Sequence, residues 1–284
     1  MAIRFVAILL VLFICHTLPD FARLRDFSWW RKWLDQLGRP PSAAGALVLG
    51  VAAPVLLCAL VQWALRTPWF GLLEFLFAAA VLYYCWGPRD LERDVEAVDK
   101  APDTAQRLAA AQALKAEEQS AELPLDAEHL VTATFHAGLK RWFGVLFWFA
   151  VLGPCGALLY RLAQLLAGVP NLGNPVLAQK FAALLDWVPA HLMALSLALA
   201  SNFDAVFTSW RDYHHAHSQG YASLDLGFLD AIARASVDAD VAAGEGHEDA
   251  HSPLIALDDA MVLVRRVLVV WLTLIALLVI GGFF

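Results

Sequence analysis

Residues Trp142 to Ala167 read WFGVLFWFAVLGPCGALLYRLAQLLA. An α-helix rises about 1.5 Å per residue, so a run of this length reaches across a hydrocarbon core of roughly 30 Å as one helix. Lys140 and Arg141 stand just before it, where cationic side chains meet lipid headgroups. Gly153, Pro154 and Gly156 fall near its middle, which predicts a kink and close approach by a neighbouring backbone. Arg161 lies inside the apolar run, and an ionised group at that depth calls for a partner or a function.

Working outward, further apolar runs occur at about 2–18, 43–65, 69–86, 181–203 and 264–283. The expectation is an all-α, polytopic integral membrane bundle of about six spans, with helical cytoplasmic elements. The composition agrees: 60% of the 284 residues are hydrophobic, 17% are charged, and the mean hydropathy is +0.59. A soluble domain of this size is less apolar. The net charge of −7 argues against nucleic acid as a partner. Cys15, Cys58, Cys85 and Cys155 all lie in apolar runs without a CxxC pair, so they read as small core residues. The first run has a single Arg4 before it and no small-residue cleavage site after it, and it reads as a retained helix.

The polar connections are 19–41, 87–141 and 204–263, and all three carry lysine or arginine near the spans. By the positive-inside rule they are cytoplasmic, and alternation then places both termini in the periplasm. The first contains DFARLRDFSWWRKWLDQL from Asp20 to Leu37, whose apolar residues recur at helical intervals among bases and tryptophans, as in a helix lying in the interface. In the second, Asp103 with Gln106 resembles a helix cap, and another helix is expected to begin near Asp126. The stretch from Ser236 to Ser252 is rich in acids and glycine and reads as a linker.

Three ionisable residues sit within apolar runs: Glu74, Arg161 and Asp186. Alternating spans place all three about 8 to 9 Å below the outer boundary, and a buried charge cluster, ligand-binding or structural, is the sharper reading. On the cytoplasmic side His136 and Lys140 are four residues apart and share a helix face that, with Arg141, can meet an anion. His214, His215 and His217 are the nearest approach to a metal cluster, but no HExxH motif accompanies them and a solvated polar face is favoured. No phosphate-binding glycine loop and no GxSxG elbow occurs. The expectation is no catalytic residue, no metal and no cofactor.

The segments FGVLFWFAVLGPCGALLYRL, from Phe143 to Leu162, and LLDWVPAHLMALSLALASNF, from Leu184 to Phe203, precede a Trp-containing polar segment and a last apolar helix. This order resembles the AmpE family of bacterial inner-membrane proteins. The likeness implies a regulatory or signalling protein of β-lactamase induction and cell-wall sensing, without catalysis of its own. It also implies a protein partner in that signalling, besides the lipid bilayer and a second copy of the chain. AmpE is in turn similar to the CobD/CbiB membrane enzymes, which join an amino-alcohol phosphate to a corrinoid acid using ATP. Where those enzymes carry an acidic A-E-N-x-x-D-G motif, this chain has His136, Ala137, Lys140 and Arg141. The alternatives the resemblance leaves are therefore a CobD/CbiB-like amide-forming synthase or a degenerate relative, and, apart from both, a transporter of a cell-wall fragment.

Overall fold

The structure is a computed structural model that describes residues 2–17, 25–36, 43–66, 71–87, 90–115, 123–169, 175–218, 220, 223–244, 246 and 252–282. Among them every regular element is helical, in the order α1 (Ala2–Thr17), α2 (Ser28–Gln36), α3 (Ala43–Leu47), a π-helical turn (Val48–Ala52), α4 (Ala53–Leu65), α5 (Gly71–Cys85), α6 (Leu91–Asp99), α7 (Thr104–Ala111) and α8 (Ala127–Gly138). A second π-helical turn (Leu139–Phe143), α9 (Gly144–Leu152), α10 (Pro154–Ala167), α11 (Pro175–Ala200), α12 (Phe203–Ala216), α13 (Gly227–Ala242) and α14 (Pro253–Ile280) follow. The chain divides into two compact units. The first comprises Met1–Asp90, Lys140–Leu185 and Ile275–Phe284, and the second Leu91–Leu139 and Asp186–Leu274.

The protein is an all-α membrane protein. Among the described residues three helical stretches, Gly45–Leu65, Pro175–Ala200 and Pro253–Ile280, are long and apolar enough to cross a bilayer, and Ile3–Thr17 and Gly71–Cys85 are shorter apolar helices. The stretch from Trp142 to Ala167 departs from expectation. It breaks at Gly153, whose φ of 79° lies where residues bearing a Cβ are strained, and Pro154 opens the next helix at its permissive first position.

The two arms then fold back on each other. A Cβ on Gly156 would stand 2.2 Å from the Trp148 carbonyl oxygen, and one on Gly144 would stand 2.1 Å from the Tyr160 ring. Four residues forward on α9 match four residues back on α10, which is antiparallel pairing about the Gly153 turn. With nine and 14 residues the arms are about 14 and 21 Å long, shorter than a hydrocarbon core. The stretch expected as a fourth span is thus a hairpin of two antiparallel helices.

The rest of the first unit is built around this hairpin. Eleven residues of α10 are buried. Its tip is held by Arg4, whose guanidinium donates to the carbonyls of Ala150 (3.0 Å) and Val151 (3.2 Å). Gln62 donates to the Leu152 carbonyl and accepts from the Cys155 amide. Backbone groups freed by a break in an apolar environment must be satisfied, and these two side chains do so. At the other end Trp142 stacks on Trp86 at 6.3 Å. The amphipathic α2 lies there too, with Trp30 and Leu34 buried and the Trp30 indole donating to the Gly50 carbonyl at 2.7 Å. Much of the expected interfacial helix, 19–24 and 37–41, lies outside the described residues.

In the second unit, α12 and α13 pack on each other and α13 packs on α8. The expected caps are present: the Asp103 carboxylate accepts from the Gln106 amide and the Asp126 carboxylate from the His129 amide. The stretch expected as a linker begins inside α13, which runs to Ala242 and buries Ser236, Val237 and Asp240. The span expected at 181–203 starts at Pro175, and that at 264–283 starts at Pro253, because the polar residues at their starts are accommodated by burial or solvent.

Two outcomes are expected. Gly156→Ala lowers unfolding stability in detergent by about 1–3 kcal/mol, whereas Gly71→Ala, with nothing within 4 Å of its Cβ, is neutral or slightly stabilising. The Asp126 carboxyl is held below the usual range, chiefly by the His129 amide. Its folded value lies below its unfolded one, so the cap's contribution is complete above the unfolded aspartate value near 3.9 and is lost as pH falls through the folded value. Asp126→Ala costs about 1 kcal/mol at neutral pH, and chemical denaturation at pH 7 and in acid shows the difference from wild type shrinking.

Candidate functional site

Each sequence-derived candidate has a definite place. Arg161 is buried on α10, and its Nε and one Nη donate to the Cys85 carbonyl at 2.9 and 2.8 Å. That carbonyl ends α5, where a cation complements the helix dipole. Glu74 sits in the first turn of the same helix. Eleven residues separate it from Cys85, about 16 Å along the axis, and it lies within electrostatic range of Arg4. Arg161 thus meets the last residue of α5, and Glu74 lies in that helix's first turn. Asp186 is buried in the middle of α11, within the second unit.

The Trp142 end of the first unit gathers cations. Besides Arg161, Arg25 is buried, with one Nη 3.4 Å from the Gly87 carbonyl, the other 3.0 Å from the Cys15 sulfur, and its guanidinium carbon 4.4 Å above the Tyr83 ring. Lys140 and Arg141 precede Trp142, and Arg141 is buried too. Sequence reading missed Arg25, which looked like one of several interfacial bases. It also missed Gln62 at the hairpin tip, although an amide inside a spanning run was a usable signal.

His136 lies near the end of α8, four residues before Lys140, and falls in the second unit. Its Nε2 lies 2.6 Å from an Asp230 carboxylate oxygen, and Arg234 donates both to the Asp230 carbonyl and to Glu128. Asp230 was not legible as a partner because 94 residues intervene. A histidine held by a carboxylate in this way is oriented to exchange a proton through its ring.

The remaining histidines separate. His214 is buried, its Nδ1 bonded to the Trp210 carbonyl, with Phe228 5.8 Å away. His215 is exposed, and His217 stacks on Tyr213 at 4.1 Å. Each of His191, His214 and His217 bonds through Nδ1 to the carbonyl four residues earlier. Among the described residues no group of three or more His, Cys, Asp or Glu side chains is placed to hold a metal ion. Tyr213 donates to Asp225 at 2.7 Å, and burial together with that carboxylate pushes its phenol up to about 12, so it stays a neutral donor throughout the physiological range. Asp240 is buried between Ser201, 2.7 Å away, and Arg266, 2.9 Å away. His247 and His251 lie outside the described residues.

If Arg161 is fixed by the end of α5, Arg161→Met destabilises the detergent-solubilised protein by about 2–3 kcal/mol. Glu74→Gln has a small effect, and the double variant is additive within about 0.5 kcal/mol. Coupling above about 1 kcal/mol in that denaturation cycle would restore the Glu74–Arg161 pair.

Comparison with known proteins adds to this geometry. The family described as "CobD/Cbib protein" matches residues 21–224. A curated relative, "Cobalamin biosynthesis protein CobD" of Chromobacterium violaceum, is 33% identical over 191 residues, which is 60% of this chain and 60% of that protein. The chain thus spans less than two thirds of the length of the curated relative it matches. No solved structure matches. The matched stretch contains the α9–α10 hairpin, Arg25, His136, Lys140, Arg141 and Arg161, and it ends before Asp230.

Proposed function

Because the chain belongs to the CobD/CbiB family, we propose that it acts at the membrane in cobalamin biosynthesis, in the amide-forming step between a corrinoid acid and an amino-alcohol phosphate driven by ATP. The observation that carries this reading is the family match over residues 21–224. The cationic end of the first unit supports it: Arg25, Lys140, Arg141 and Arg161 offer charge to a phosphate or to several carboxylates, and guanidinium bonds to such groups are strong. Within the second unit, the His136–Asp230 pair is a separate imidazole held by a carboxylate. The bacterial inner membrane, with the charged connections in the cytoplasm, is the location that fits soluble ATP as co-substrate.

A second reading is favoured by one observation. Where the family motif places acids that would hold the metal of a metal–nucleotide complex, this chain has His136, Lys140 and Arg141, and such chemistry needs carboxylates. On this reading the scaffold has kept anion recognition and lost ligation, and the chain serves a regulatory role of the AmpE kind. The family likeness itself is carried by the broader CobD/CbiB group.

The readings part in one assay. The full chain in lipid nanodiscs is incubated with corrinoid acid, amino-alcohol phosphate, ATP and magnesium, and the amide product is followed by mass spectrometry. The first reading expects product, reduced at least tenfold by Lys140→Ala. No product, together with no nucleotide binding at millimolar concentration, would overturn it in favour of the second.

A further inference from the structure

A groove of about 620 Å³ lies in the first unit between α2, α4 and α5, open along one side and lined almost wholly by apolar groups. Its walls are Trp29 and Trp33 of α2, Pro54 and Leu57 of α4, and Phe77 and Tyr84 of α5, and Leu158 of α10 lies at its floor. We propose that this groove holds one acyl chain of a membrane phospholipid, whose phosphate is met by Lys32 on α2.

The occupant follows from what surrounds the groove. The outer face of α4 exposes Leu56, Leu57, Leu60 and Trp63, the last at 75%, so the groove opens on a face that water would not wet and hydrocarbon would. It runs along α4 from Ala53 to Val61, about 12 Å of helix, which suits an extended chain lying parallel to the helix.

One end is polar. The Trp29 indole donates to the Tyr84 hydroxyl at 2.6 Å, and that hydroxyl donates in turn to the Asp26 carbonyl. Indole and phenol groups with one wet edge settle at the headgroup level, which sets the depth of the groove's mouth. Lys32 and Trp29 are three residues apart on α2, hence neighbours on its surface. Lys32 and Arg31 are exposed, and Asp26 and Asp35 stand nearby. This mixture of charges suits a phosphate accompanied by an amine better than a purely anionic group. A hydrophobic groove with a cation at its interfacial rim fits a phospholipid by both of its parts.

The inference does not depend on the proposed reaction. Full-length protein is extracted in mild detergent with phosphatidylethanolamine and, separately, with diacylglycerol, and bound lipid is counted by native mass spectrometry. The wild type is expected to carry one phospholipid more than Ala80→Phe, which fills the groove. Lys32→Glu, at an exposed position that leaves the fold intact, is expected to weaken phospholipid retention about fivefold and to leave diacylglycerol unaffected. Equal lipid counts in the wild type and the filled variant would overturn the proposal. So would a wild-type dimer that Ala80→Phe converts to monomer, which would make a second copy the occupant. Loss of both lipids alike in Lys32→Glu would overturn the assignment of the phosphate.

Discussion

The first unit depends on the contact between two short helices, α9 and α10, that glycines allow to pack closely. Gly156 lets α10 come up against the Trp148 carbonyl, and Gly144 leaves the space the Tyr160 ring occupies. Any Cβ at either place would separate the arms, and with them the surface on which the neighbouring helices pack. The turn itself needs a conformation that Gly153 adopts and other residues resist. Three glycines thus decide that one long apolar run folds into two antiparallel helices.

Other features follow from that return. Two backbone stretches at the tip lie without helical partners, and Arg4 and Gln62, from helices far away in sequence, supply the bonds. At the opposite end α10 delivers Arg161 to the Cys85 carbonyl, beside the place where Arg25 reaches Gly87. A continuous helix would have carried Arg161 away from Trp142, so its place among the cations at that end is a consequence of the hairpin.

Much of this was legible in the sequence, and the part that was not has a physical cause. Hydrophobic length identified the apolar helices, and the caps at Asp103 and Asp126 were readable because the carboxylate and the amide it accepts from are three residues apart. Gly153, Pro154 and Gly156 were rightly marked as a site of bending and close approach. Hydropathy reports only that residues are apolar, and cannot tell a kinked helix from two antiparallel arms, since both bury the same groups. The His136–Asp230 pair was out of reach for another reason: it joins helices that no local pattern connects, and Asp230 on its own looks like any acid in a helix's first turn.

The central claim is that residues Trp142 to Ala167 form two antiparallel helices that bring their ends together. It is tested most directly by the distance between spin labels at positions 140 and 168, read by pulsed electron spin resonance on the reconstituted protein in a cysteine-free background. A hairpin brings the two ends together, with label separations on the order of 10–20 Å given helices packed 8–10 Å apart. A single helix through these residues would hold them about 42 Å apart at 1.5 Å per residue, and a distribution centred there would contradict the account.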